Sequence, residues 1–202
     1  MLNIDKELKR IVGKYPETWQ KQERLESKNN ILLIRAGEII TKSYYIESGI
    51  LKCCLFDEDI EKDVILDLLS TGDAILPYNI TSRNVLSPFD IQVIGKAVIY
   101  SISNDDLDIL QEKEPILNEL TQLNAERMIT RMIKISIINA SNKALIRYKK
   151  LLEVYPYLRD ISDQEVASIL GIDRATVNRK KIELMKIERD KEKAKQSPKN
   201  KT

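Results

Sequence analysis

The chain has 202 residues, of which 43% are apolar and 32% charged, and it contains no histidine. That length holds one large or two small domains, with apolar residues enough for a packed core under a well-solvated surface. The missing imidazole excludes His-ligated zinc, His-ligated haem and histidine-based acid–base catalysis.

The net charge is +2, but residues 1–138 carry −5 and residues 139–202 carry +7. Only the back of the chain is therefore suited to a polyanion. The N-terminus is charged and lacks an apolar signal core, and no run approaches the roughly 20 apolar residues that span a membrane. A cytoplasmic protein with no membrane partner is expected. Cys53 and Cys54 are adjacent in an apolar run. Strand neighbours point to opposite faces, so neither a disulfide between them nor a two-thiolate metal clamp is expected. No nucleophile–base pair or metal cluster is evident, so no enzyme activity, catalytic residue, metal or cofactor is expected.

In chain order, residues 3–26 read as helical with breaks. Leu2, Ile4, Leu8, Ile11 and Val12 recur at helical spacing, Tyr15-Pro16 interrupts them, and Glu17 to Ser27 is a polar, helical lead. From Ile31 to Ser101 the period shortens. Strands are expected at 30–35, 44–46, 50–56, 62–69, 91–94 and 97–101, with turns at Ala36-Gly37-Glu38, Glu47-Ser48-Gly49, Asp57-Glu58-Asp59 and Ser70-Thr71-Gly72-Asp73. About eight short strands at this spacing indicate an antiparallel roll or barrel. Ser103 reads as an N-cap with acids in the first turn of a short helix. From Pro115, a run free of Gly and Pro reaches Ile138. Its apolar residues cover more than one face, which calls for a second subunit as cover. Asn139 to Asn142 is a polar hinge, and Lys143 to Tyr155 is an amphipathic helix that Pro156 ends.

Residues 162–181 read as a helix-turn-helix. Ser162 and Glu165 form a capping box, Val166, Ile169 and Leu170 face inward, and Ala167 is small where a second helix crosses. Gly171 ends the first helix, Ile172 plugs the turn, Asp173 caps the second helix, and Val177 and Leu184 anchor it. Arg174, Ala175, Asn178 and Arg179 then face outward, where Arg matches guanine and Asn adenine in the major groove. Thr176, Lys180 and Lys181 suit phosphates. Lys180 or Lys181 also falls on the inward row, where its stem can lie along apolar surface. After Met185 the sequence is highly charged. It is read as extending the last helix and then fraying into a disordered tail.

These motifs, placed behind a β-rich domain and a long helix, resemble the Crp/Fnr family of bacterial transcription regulators over about residues 25–186. The front motifs are Arg35 to Glu38, Tyr45 to Lys52 and Ser70 to Asp73. The back motif is Arg174, Thr176, Val177 and Arg179, in which the resemblance assigns bases to the arginines and a phosphate to the threonine. It implies an α+β chain with four parts. An N-terminal antiparallel, jelly-roll-like β-roll of the cyclic-nucleotide-binding type with its N-terminal helices (1–114) leads to a dimerisation helix (115–138). A winged-helix-type helix-turn-helix domain (139–186) and a charged, disordered tail (187–202) follow. It implies a homodimer on a two-fold symmetric DNA operator, with RNA polymerase as a further partner and no effector identified. Three departures accompany it. Pro77 to Asp90 contains Arg83 but lacks the Gly-Glu that holds ribose beside the phosphate-binding arginine, so no cyclic AMP binding is expected. Two cysteines cannot supply the ligands of an Fnr-type iron–sulfur cluster. Ala175 stands where the best-known member has a base-reading glutamate, which implies a different operator, and no clear strand pair follows Met185, so a β wing is short or missing. The competing reading is a ligand-sensing or interaction module whose helix-turn-helix has lost its DNA function.

Overall fold

Two long strands carry the front half of the computed structural model, which describes residues 3–24, 31–76 and 86–196. They are β3 (Lys42–Asp57) and β6 (Asp90–Ser103), paired antiparallel. The remaining strands are β1 (Gln20–Arg24), β2 (Ile31–Ile34), β4 (Lys62–Ser70) and β5 (Ala74–Ile75). The sheet order is β1-β6-β3-β4, with β2 also on β6 and β5 on β3, and every pairing is antiparallel. Against about eight short strands expected, the described residues hold six: the six expected runs become four because two pairs are continuous, and β1 and β5 are added. Residues 47–49 are not a turn. The β3–β6 register shifts on both sides of Ser48, so the chain bulges and continues. Gly49 makes this possible: its φ is +107°, and a Cβ there would sit 2.5 Å from the Ala97 Cβ. Likewise β6 runs through Gly95 without a break. The segment 17–27, expected to be helical, contributes β1 instead, because Gln20–Arg24 pairs along the free edge of β6. Partner availability overrides a weak local pattern there.

Helix α1 (Ile4–Lys14) starts where the Asn3 side chain accepts from the Lys6 amide. It buries Ile4, Leu8, Ile11 and Val12 in one cluster with Trp19, Tyr45, Ile102 and Leu107. Helix α2 (Asn104–Lys113) is capped by Ser103 as expected. Inside the roll, Ile46, Leu51, Cys53, Leu69, Ile91, Val93 and Ile99 form a second cluster. Cys53 and Cys54 are free thiols, both buried. Burial pushes the Cys53 thiol well above its ordinary value and the Cys54 thiol up to about 11.

Helix α3 spans Ile116–Asn139. Two compact units divide within it, at Met132 and Ile133, rather than at the polar hinge 139–142. Its last turn belongs with the second unit because Asn139 Nδ2 donates to the Ile169 carbonyl at 2.8 Å. In the first unit α3 is tied to the roll by polar groups on one helical face. Asn124 Nδ2 donates to the Ala74 carbonyl at 2.9 Å. The Arg131 guanidinium donates from Nε and Nη2 to the Asp67 carboxylate and from Nη1 to Asp73 Oδ1 at 3.0 Å. Arg127 reaches Asp73 Oδ1 at the same distance. Asp67 and Asp73 are nearly inaccessible, and the Arg131 side chain is 13% exposed. Burial works against the Arg131 charge, but the two carboxylates outweigh it and hold the guanidinium protonated more firmly than usual.

The second unit is all-helical. It comprises α4 (Ala144–Val154), a 3-10 turn at Leu158–Asp160, α5 (Asp163–Leu170) and α6 (Arg174–Gln196). Tyr148, Leu151, Tyr155, Leu158, Ile161, Val166, Ile169, Leu170, Val177 and Leu184 are buried. Two readings of the C-terminal sequence bear on this unit. The sequence makes a β wing short or missing, and among the described residues no strand follows β6. Residues 187–196 extend the last helix, because α6 meets no Gly or Pro before Gln196 and alternates charge along its length. Residues 197–202 lie outside the described residues, as do 77–85 with Arg83.

Replacing Arg131 by alanine leaves two buried carboxylates without their main cation. It should lower the stability of the chain by about 3–5 kcal/mol in urea unfolding. A second prediction concerns Glu114, buried at the α2–α3 corner. Its carboxylate accepts from Lys14 Nζ, Arg10 Nη2 and the Tyr15 hydroxyl. The Lys14 and Arg10 contacts hold it at about 2, against the opposing effect of burial. A depressed folded pKa means stability that is full above the ordinary carboxylate value of about 4.3 and is lost as pH falls toward the folded value. The stability difference between parent and Glu114→Gln should therefore shrink steadily between about pH 5 and pH 2 in a pH series of unfolding curves.

Candidate nucleic-acid interface

The pair α5 and α6 is set by caps at three points. The Ser162 hydroxyl accepts from the Glu165 amide, and the Glu165 carboxylate accepts from the Ser162 amide, so two orphan donors of α5 are satisfied. Gly171 closes α5 at φ +57°, a left-handed position, and the Ile172 amide donates back to the Ala167 carbonyl. Arg147 on α4 donates to the Leu170 carbonyl at 2.6 Å, placing a cation at the negative end of α5. Asp173 then starts α6: its Oδ1 accepts from the Thr176 amide at 2.8 Å and its Oδ2 from the Thr176 hydroxyl at 2.5 Å. These Thr176 bonds hold the Asp173 carboxyl below the usual range. Val177 and Leu184 are buried as expected, whereas Ile172 is only half-buried.

The seven expected residues all lie on the first two turns of α6, in different local settings. Arg174 and Ala175 are exposed at its N-terminus. Thr176 is half-buried, and its single hydroxyl proton is committed to Asp173 while its oxygen accepts from Arg179 Nη2 at 2.8 Å. Arg179 is exposed and also touches the Ala175 carbonyl at 3.4 Å through Nε. Asn178 is exposed, with Nδ2 donating to Asp163 Oδ2 at 3.2 Å. Lys181 occupies the inward row with Val177 and Leu184, and its ammonium reaches Asp163 Oδ1 at 3.1 Å. Lys180 pairs with Glu183 at 2.8 Å.

Asp163, at the first turn of α5, is thus the residue that sequence reasoning misses. Burial pushes its carboxyl up, but the Asn178 and Lys181 hydrogen bonds outweigh this and hold it below the usual range. The contact explains the lysine in the inward row: its stem lies against the helix pair and its charge is answered at the rim. It also orients Asn178. One amide N–H goes to Asp163, leaving the other N–H and the carbonyl oxygen, the donor–acceptor pair that fits the major-groove edge of adenine. A first-turn acid is visible in the sequence, but a partner 15 or 18 positions away is not.

Compared with solved structures, the chain matches the c-di-GMP-responsive global regulator CLP of Xanthomonas campestris with a TM-score of 0.67, at 14% identity over 90% of this chain and 92% of that one. It matches a cyclic nucleotide-binding domain containing protein from Listeria monocytogenes with a TM-score of 0.66, at 14% identity over 92% and 91%. A CRP-family transcriptional regulator from Thermus thermophilus gives 0.60, at 14% identity over 82% and 84%. The chain has the Crp/Fnr-type regulator fold. No protein-family model and no curated protein matches it by sequence. Within this Crp/Fnr-type fold, α5 and α6 are the helix-turn-helix and β1–β6 the roll. Among the described residues there is no group of three potential metal ligands and no helix long and apolar enough to cross a membrane.

Proposed function

We propose that the chain is a sequence-specific DNA-binding transcription regulator of Crp/Fnr type that works as a homodimer on a two-fold symmetric operator. The observation that carries this reading is the capped α5–α6 pair. Its second helix turns Arg174, Ala175, Asn178 and Arg179 outward from a seat fixed by Val177, Leu184 and Asp163. Arg174 and Arg179 pair with guanine edges and Asn178 with adenine, while Lys180 and Lys181 meet phosphates. Phosphate contact by Thr176 requires its hydroxyl to leave Asp173. The basic balance of residues 139–202 supports the choice of a polyanion over a protein partner.

The dimer reading rests on α3. Its buried stripe of Leu117, Leu120, Met128, Ile135 and Ile138 leaves Ile129, Met132, Ile133 and Ile137 exposed at three- and four-residue spacing, with Ile137 at 62%. Four large apolar side chains in a row on a solvated helix fit a self-complementary seam. The effector site, by the sequence of 77–90, does not follow the cyclic nucleotide pattern, and RNA polymerase is the expected protein partner of a cytoplasmic regulator of this kind. The relatives in fold that are described as regulators make an enzyme on this roll a poor alternative.

Binding to a duplex selected from random sequence tests the reading. Affinity should fall steeply with salt, with a logarithmic slope of about −0.9 for each phosphate neutralised. Arg179→Ala should weaken the selected site by about 1–3 kcal/mol while leaving non-specific binding nearly unchanged. A chain with no sequence preference is instead an interaction module. Ile133→Glu should convert the dimer to monomer in sedimentation equilibrium and weaken operator binding without lowering helix content.

A further inference from the structure

The outward row of α6 does not stop at Arg179. Positions 175, 178, 179 and 182 follow the i, i+3, i+4, i+7 spacing at which groove-reading helices of three-helix DNA-binding domains present their base contacts. The fourth position is Ile182, which is 48% exposed. At 1.5 Å per residue this row is about 10 Å long, or about three base-pair steps. Ile182 is flanked on the same side of the helix by exposed Arg179, Lys186 and Arg189. A protein partner covering the isoleucine would have to take those cations out of water, whereas DNA offers each of them a phosphate or a base edge. The major groove offers an isoleucine one apolar feature, the C5-methyl of thymine. As a β-branched residue in a helix, Ile182 holds nearly a single rotamer, so its methyl groups are placed before DNA arrives.

We infer that Ile182 is a further specificity-determining residue, which packs against a thymine methyl in each half-site and makes the operator thymine-dependent one step beyond the Arg179 contact. This rests on the DNA-binding reading above and deepens it. The pattern along the row is then an open position at Ala175, polar readers at Asn178 and Arg179, and an apolar reader at Ile182.

The test is a double-mutant cycle between protein and DNA. The full-length parent first selects its duplex from random sequence. Each thymine of the half-site is then replaced in turn by deoxyuridine, which lacks only the methyl, and affinities are measured for the parent, Ile182→Ala and Arg179→Ala. One uridine position should weaken the parent about fourfold per half-site, the worth of one buried methyl-sized group, and should hardly affect Ile182→Ala. Arg179→Ala should retain the uridine effect. If no uridine position discriminates, or if Ile182→Ala loses equally on both duplexes, the inference is overturned while the DNA-binding reading stands, provided Arg179→Ala still weakens the selected site. If the parent selects no sequence at all, both fall together.

Discussion

The guanidinium of Arg131, held between Asp67 and Asp73, fixes where the long helix lies on the roll. Compared with an apolar trio of the same volume, such a buried cluster adds little stability. What it supplies is register. A bidentate fork accepts one carboxylate geometry, and a slip of α3 by one turn, about 5.4 Å, would strand both acids away from water without a cation. Asn124, Arg127 and Arg131 share one face, so a single placement satisfies the Ala74 carbonyl, Asp73 and Asp67 together. The Ile129 and Met132 side chains are exposed in consequence of the same placement.

The helix-turn-helix was legible in the sequence because its determinants are local. Ser162 and Glu165 are three residues apart, Gly171 supplies a left-handed turn, and Asp173 caps the helix that begins at the next residue. The long helix was legible for the same kind of reason: nothing between Pro115 and Asn139 breaks it. What the sequence hid is what depends on partners far away along the chain. A strand that bulges at Gly49 looks like two strands and a turn until its neighbour β6 is in place. Gln20–Arg24 has no strand-like pattern of its own and becomes extended because β6 has an open edge. After Met185, by contrast, no strand pair was legible in the sequence, and among the described residues the uninterrupted charged run is helix. The Arg131 cluster joins positions 58 and 64 residues apart.

The reading helix illustrates preorganisation. Its polar side chains do not wait in solvent as free rotors; Asn178 is held by Asp163 and Arg179 by Thr176. Ordering long side chains on binding costs free energy, and part of that cost has already been met in folding. The same contacts fix the angle between α5 and α6, so a change at Asp163 would alter both the orientation of Asn178 and the seat of the helix that carries it.

Cys53 and Cys54 stand side by side in the wall of the roll, with thiols that burial keeps protonated at neutral pH. Nucleophilic sulfur chemistry runs through the thiolate, so an oxidant or alkylating agent meets almost none while the roll is closed. Their reactivity is therefore gated by opening of the sheet itself. Thiol modification is confined to molecules in which local opening has brought Cys53 or Cys54 to solvent.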